Sequence, residues 1–438
     1  MQNIKMIAIS DIHFGAVPSV ALSDPTSKQN IFEKYSLKQS SLQMLAMHNL
    51  ANYILDNDVD AVLIAGDIAD TDSAYFETYF SLERFLETIQ KNNVMVFVVS
   101  GNHDASVIKK LSLKEDNFKL LGENGEWVHE IFDLRDGKKI FLSARSFTKK
   151  HQEESHLSSY ELKSRPSTLP NDIPFVGLMH CEIGAPGSQY APTGLDEFDK
   201  TFEDIWICGH THIPRYYEEN KKIIVPGSLQ GLDPSEQGIR GGFLIECSGN
   251  YIKNVEKIPL AFVYYDNISV KIEKVSDFEE EIRKRLQEIN AKYKEEVSFN
   301  YVLSLRAEIN VPFRLLKEFQ KRIDDMPDKN PIIFGNVIVE KISLRSDCFL
   351  DLETLSKRKD PLGILANYLT VLQTKAPKDE YDEHIQKASK TIFQNLNQSS
   401  FALLNCLSDD EEKIRESLLR SGEILLSKFI EELGLYND

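Results

Sequence analysis

The sequence predicts a multidomain α/β protein: a buried central sheet flanked by helices, then a small α/β block, then a helical C-terminal region. Three observations carry this. Buried strand runs and amphipathic helix runs alternate in β–α–β–α–β order over residues 5–99. Chemically active residues repeatedly follow the end of a strand run, where open α/β sheets place ligand sites. The apolar pattern then changes character after about residue 262. A chain of 438 residues is too long for one hydrophobic core. The expected boundaries are 1–261, 262–350 and 351–438.

Lys5–Ser10 is a short apolar strand running into Asp11. Residues 16–40 are polar and loop-like. Leu42, Leu45, Leu50 and Ile54 share one face of a helix over 41–57, and Asp60–Ala65 is a buried strand ending at Gly66. Residues 73–90 form a second amphipathic helix through Phe76, Phe80, Phe85, Leu86 and Ile89. Val94–Val99 is a strand ending at Gly101, Pro174–Leu178 leads to His180, and Asp204–Cys208 leads to Gly209–His212. Ile223–Val225 and Gly242–Glu246 are further strands, and residues 148–172 have the composition of an exposed insertion. Beyond 262, alternation at Ile268, Val270 and Ile272 marks a half-buried strand. Ser276 and Glu279 then open a helix as a capping box. Residues 297–305 alternate again, before a helix near 312–325 and a strand near 335–344. Residues 361–375, 379–396 and 409–434 are three helices; the amphipathic last one either packs on its own domain or is offered to a partner.

Composition narrows the setting. Hydrophobic residues make up 42% and charged residues 27%, ordinary for a soluble globular protein. No apolar run approaches the roughly 20 residues that span a bilayer. Met1–Ser10 lacks a basic start and long apolar stretch, so we expect a cytoplasmic protein. Cys181, Cys208, Cys247, Cys348 and Cys406 are scattered without metal spacing, as free thiols in a reducing compartment would be. The net charge of −17 runs against the basic surface usual in nucleic-acid binders, although bound cations would offset part of it.

Five short motifs in order carry the chemistry: Asp11-Ile12-His13, Gly66-Asp67, Gly101-Asn102-His103-Asp104, His180, and Gly209-His210-Thr211-His212. Together they offer nitrogen and oxygen donors suited to a pair of Mn, Fe or Zn ions. Read as extended backbone, Asp11 and His13 leave on one side and reach one ion, and His210 and His212 reach a shared site in the same way. Asp67, with two carboxylate oxygens, is the candidate bridge. Two ions roughly 3.5–4 Å apart clamp a phosphate and make hydroxide available at neutral pH. His103, next to Asn102, is the candidate general acid for the leaving alkoxide. Asp104 is expected to orient that imidazole or raise its pKa. His48, His129, His151, His156 and His384 lack such context and are read as surface or packing residues.

These motifs resemble the calcineurin-like metallophosphoesterase family over residues 1–250. The resemblance implies a β-sandwich flanked by helices. It implies that Asp11, His13, Asp67 and His212 hold one metal, that Asp67, Asn102, His180 and His210 hold the other, and that His103 is the catalytic histidine. Asp104 in the third motif is the choice of the family's nucleases and phosphodiesterases. Val225-Pro226-Gly227-Ser228-Leu229, Glu236, Gly242–Glu246 and Gly66–Thr71 are similar to the SbcD-type DNA-break nuclease branch. So are the order of the block after 262 and Asp360-Pro361-Leu362 with Tyr368. That branch implies a manganese-dependent nuclease acting on DNA ends and single strands, with the block at 262–350 as a DNA-capping domain. It further implies an SMC-like ATPase gripped by residues 379–434 and a homodimer formed through helices such as 73–90. Asp70 departs from archaeal and eukaryotic relatives, which carry a second catalytic histidine there. The alternative function is a stand-alone phosphatase or cyclic-nucleotide phosphodiesterase using the same centre.

Overall fold

The computed structural model describes residues 2–17, 42–111, 116–162, 164–218, 222–312, 315–324, 332–347, 352–374, 383–387 and 411–432. Most of the expected loop at 16–40, much of the helix at 379–396, Cys348 and Cys406 lie outside these residues.

Residues 2–260 build two six-stranded sheets, the β-sandwich that the resemblance implied, where the strand runs alone indicated one central sheet. In the first, β1 (Asn3–Ile9), β2 (Ala61–Ala65), β3 (Met95–Val99) and β4 (Phe118–Leu120) run parallel. β11 (Gly241–Ser248) and β12 (Tyr251–Pro259) extend it antiparallel beyond β1. In the second, β6 (Lys139–Arg145), β7 (Phe175–His180), β8 (Ile205–Gly209) and β10 (Lys222–Val225) are parallel. β5 (Val128–Asp133) and β9 (Arg215–Tyr217) pair antiparallel at the two edges.

Strand alternation decides which side chains meet. Met6, Ala8, Leu63, Ala65, Phe97 and Val99 face Leu142, Ala144, Val176, Leu178, Ile205 and Ile207 in the core between the sheets. The intervening residues Ile7, Ile9, Val62, Ile64, Val96 and Val98 pack under two helices, α1 (Leu42–Asp56) and α2 (Tyr75–Gln90). The first sheet is therefore apolar on both faces, which is why its strands read as continuous hydrophobic runs. Each such side chain contributes about 1.5–3 kcal/mol by leaving water. On the outer face of the second sheet Trp206 lies flat over Gly177, where a Cβ would come within 2.1 Å of the indole. Only a glycine leaves room for that ring between the neighbouring strands β7 and β8, which deliver the later histidines.

Several expectations change. Phe76 and Phe80 are 71% and 61% exposed, whereas Phe85, Leu86 and Ile89 of the expected face are buried, together with Leu82. Within the insertion at 148–172, Ser155, His156 and Leu157 are buried. Ser276 makes no capping box. Its hydroxyl bonds Asp277 Oδ1 at 2.6 Å, the helix α3 (Phe278–Glu296) starts after a short 3₁₀ turn, and Glu279 pairs with Arg322.

By contacts the chain forms two compact units, one of residues 1–272, 276–309 and 321–343, the other of 273–275, 310–320 and 344–438. In the first, β13 (Val263–Lys271) begins a four-stranded sheet of order β13-β14-β16-β15, with β14 at Val302–Pro312, β15 at Ile332–Phe334 and β16 at Val337–Asp347. In the second, a helix at Pro361–Thr374 packs against one at Glu411–Glu432 through Leu362, Leu369, Leu372, Leu418, Leu426 and Phe429. The last helix thus buries part of its apolar face in its own unit, leaving Leu425 46% exposed. Among the described residues no helix is long and apolar enough to cross a membrane.

Candidate metal centre

All five motifs sit at the C-terminal ends of parallel strands: Asp11 and His13 after β1, Asp67 after β2, Asn102 and His103 after β3, His180 closing β7, and His210 and His212 after β8. The two sheets thereby aim residues from across the sequence at one end of the sandwich. Backbone bonds stitch the loops together: the Asp11 amide donates to Gly66 O (3.1 Å), and the Ile12 and His13 amides donate to Asp67 O (2.9 and 3.0 Å). The Asp11 carboxylate accepts from the His210 amide at 3.1 Å.

The backbone here is strained. Asp11, His13, Asp67 and His210 have φ of 50°, 52°, 53° and 93°, in the left-handed region that non-glycine residues adopt at a cost of about 1–3 kcal/mol each. This corrects the reading of Asp11–His13 as extended backbone. Gly101 shows why a glycine precedes Asn102: a Cβ there would stand 2.1 Å from Asp67 Oδ1.

The side chains gather in overlapping groups whose donor atoms lie within 4.8 Å of one another. Asp11, His13 and His212 form one, His13, Asp70 and His103 a second that shares His13 with it, and Asp67, His180 and His210 a third. His210 and His212 therefore face different groups, not the shared site that their spacing alone implied. Asp67 stands between the groups, with Oδ2 3.3 Å from His180 Nε2 and 3.9 Å from His13 Nε2. Asn102 Oδ1 lies 2.9 Å from His180 Nε2 and 3.1 Å from His210 Nδ1.

The donor chemistry fits cations. His180 Nδ1 is 2.8 Å from Ala65 O and donates its proton there, so Nε2, beside the oxygens of Asp67 and Asn102, is the nitrogen left to bind a cation. His212 is held at Nδ1 by Glu236 Oε1 at 3.0 Å, and Glu236 is braced by the Ser228 hydroxyl at 2.5 Å. His13 presents Nδ1 to Asp70 Oδ1 at 3.3 Å. The remaining nitrogens, His13 Nε2 and His212 Nε2, point at each other across 3.2 Å. Carboxylates behind imidazoles whose other ring nitrogens converge are how proteins orient histidine for a metal.

The surrounding field has the same sign. Burial works against charge on His180, but Asp67 and then Asp11 pull its pKa up to about 10. His212 rises to about 9, with Glu236 and Asp11 overcoming burial. Burial would raise the Asp67 carboxyl, yet His180, His13 and His103 hold it below its usual range. The pocket favours positive charge.

His103 and Asp104 take different places from those expected. Asp104 does not orient His103. Its fully buried carboxylate accepts from the Ile68 amide (2.6 Å) and the Gly101 amide (2.7 Å), tying the second motif to the third. Burial and the charge of Asp67 push it up to about 7 against the pull of those amides. His103 is held by Asp70, with Nδ1 2.9 Å from Asp70 O. Its ring stands edge-on to His13 with centroids 5.0 Å apart, and its side chain is 38% exposed. Asp70, Glu236 and Glu182, which lies 3.7 Å from His210 Nε2, were not assigned these supporting roles from sequence, because no local pattern ties a carboxylate to a distant imidazole.

Comparison with known proteins agrees with this geometry. Residues 4–214 match the family described as calcineurin-like phosphoesterase. The chain is 25% identical over 269 residues to the metallophosphoesterase YhaO of Bacillus subtilis, covering 58% of this chain and 59% of that one. It is 23% identical over 273 residues to the DNA double-strand break repair protein Mre11 of Archaeoglobus fulgidus, covering 55% and 57%. The matches thus span less than two thirds of these relatives' own lengths. Among solved structures it is similar to a dimetal phosphatase from Danio rerio at 10% identity and a TM-score of 0.36, covering 58% of this chain and 96% of that one. It is similar to TT1561 of Thermus thermophilus at 12% and 0.32, covering 57% and 99%. With its strand-end motifs gathered into groups able to hold divalent cations, the segment from residue 4 to residue 214 is a calcineurin-like metallophosphoesterase domain.

Proposed function

We propose that this protein is a metal-dependent DNA nuclease. The observation that carries the reading is a pair of metal-competent side-chain groups meeting at Asp67, with a half-exposed imidazole, His103, at their rim. Asp11, His13 and His212 would hold one divalent ion, Asn102, His180 and His210 the other, and Asp67 both. Such a pair, most simply manganese, supplies positive charge for the phosphoryl oxygens and a nucleophile at neutral pH. Asp70 O fixes the proton on His103 Nδ1, so Nε2 is the nitrogen that passes a proton to the leaving oxygen. His103 does this without being needed to hold a metal.

DNA is the substrate favoured by the likeness to the Archaeoglobus break-repair protein. An SMC-like coiled-coil ATPase bound through the C-terminal helices belongs to the same reading. So does a homodimer through α2, whose Phe76 and Phe80 are exposed beside Tyr75 and Tyr79. The test is manganese-dependent cleavage of linear DNA, with and without a coiled-coil ATPase, by wild type and His103→Ala. Cleavage that disappears in His103→Ala, with metal content retained, supports the proposal. Turnover of small phosphodiesters with intact DNA under every condition replaces it with a small-molecule phosphodiesterase. Sedimentation of Phe76→Glu/Phe80→Glu tests the dimer: a monomer is expected, and an unchanged dimer rules out this face.

A further inference from the structure

The loop after β6 has no part in the centre described above, yet it is tied to its edge. The Gln152 amide donates to Gln189 O at 2.8 Å and Gln152 O accepts from the Ala191 amide at 2.7 Å, so the loop clasps the segment that carries Tyr190. The half-buried Tyr190 ring lies against His210 with centroids 4.8 Å apart and planes tilted 35°. His151, exposed on the loop, lies 5.8 Å from the same Tyr190 ring. A line of rings therefore leads from the metal-competent groups outward along the loop.

At the end of that line is a cleft of about 780 Å³ lined by Arg145 and residues 149–154. Lys149 and Lys150 are exposed there, and neither forms an ion pair among the described residues. Glu153 and Glu154 also line it. Residues 145–151 nevertheless read Arg-Ser-Phe-Thr-Lys-Lys-His, with three cations and no acidic side chain, in a chain of net charge −17. Cations beside an exposed and a half-buried ring, strung out from a phosphodiester-cleaving centre, are the elements of a single-strand path: amines for phosphates, rings for bases.

We propose that this loop and Tyr190 form a subsite for single-stranded nucleic acid, receiving the strand beyond the phosphate at the centre. Lys149 and Lys150 neutralise backbone phosphates, and Tyr190 with His151 supplies the stacking surface. The proposal rests on the nuclease reading and adds to it the side chains that receive the strand beside the centre.

The test measures binding of a fluorescein-labelled ten-nucleotide oligo-dT to the full chain, manganese withheld, across a salt series. Losing two phosphate contacts on a single strand lowers the slope of log K against log salt by about 1.4, which is about 25-fold in affinity at 0.1 M salt. That is the expected change in Lys149→Ala/Lys150→Ala. Tyr190→Leu is expected to weaken binding roughly tenfold and Tyr190→Phe to restore it. Wild-type slope and affinity in the double lysine variant overturn the subsite while leaving DNA cleavage, and so the nuclease reading, intact. A wild-type chain that neither binds this oligonucleotide nor cuts DNA overturns both.

Discussion

Replacing Asp104 separates two accounts of the third motif. Adjacency in sequence makes Asp104 the partner of His103; the structure makes it a clamp between loops. Its carboxylate takes the Ile68 amide at 2.6 Å and the Gly101 amide at 2.7 Å, with the Ala69 amide farther off at 3.4 Å. All of this is fully buried, so Asp104→Ala strands amides that water cannot reach. A buried amide left without its partner costs about 1–3 kcal/mol, so losing the two short bonds costs about 2–6 kcal/mol. The clamped loops carry Asp67 and Asn102, so metal affinity falls as well. The assay is urea unfolding of the full chain, with metal analysis of the purified protein. We expect a much lower midpoint and depleted metal in Asp104→Ala, and neither effect in His103→Ala. If Asp104→Ala keeps wild-type stability and metal and loses only hydrolysis, as His103→Ala does, the clamp is wrong and the partnership with His103 stands.

Gly101→Ala would set a methyl 2.1 Å from Asp67 Oδ1, so its metal content by elemental analysis should fall below that of wild type. Burial, then Arg145 and His180, hold the His156 imidazole down at about 3. The unfolded chain then binds more protons than the folded one below about pH 6.5, and the stability His156 contributes is full above that pH and lost as pH falls toward 3. Its share of the loss between pH 7 and pH 5 is about 2 kcal/mol, and denaturant titrations of His156→Gln should lack it. Cys181, Cys208 and Cys247 are buried free thiols, and burial pushes Cys247 up to about 12. Iodoacetamide at pH 8 should therefore leave all three unmodified in the native protein and alkylate them once urea is added.

The part of the fold legible in the sequence is the part with a local signature. β1, β2, β3, β7 and β8 are short apolar runs closed by a polar motif, and each forms within a residue or two of its expected place. That β7, β8 and β10 belong to a second sheet was visible only through the family resemblance, because its edge strands β5 and β9 are partly exposed with mixed patterns and an apolar run does not show which sheet it joins. The exposed Phe76 and Phe80 follow from the same limit, since a helical period gives the spacing of a face but not its width. At the centre, donor types and their order could be read directly. Their grouping could not: His210 and His212 are separated by the left-handed turn at His210, which a reading of extended backbone misses. Asp70, Glu236 and the amides held by Asp104 are tertiary partners, and only the assembled loops bring them to their imidazoles and to one another.

Manganese soaked into crystals, located by anomalous scattering, tests the central claim most directly. Two peaks about 3.5–4 Å apart are expected, one against Asp11, His13 and His212, the other against Asn102, His180 and His210, with Asp67 touching both. The same two peaks should remain in His103→Ala. A single peak, or two that do not share Asp67, would contradict the account.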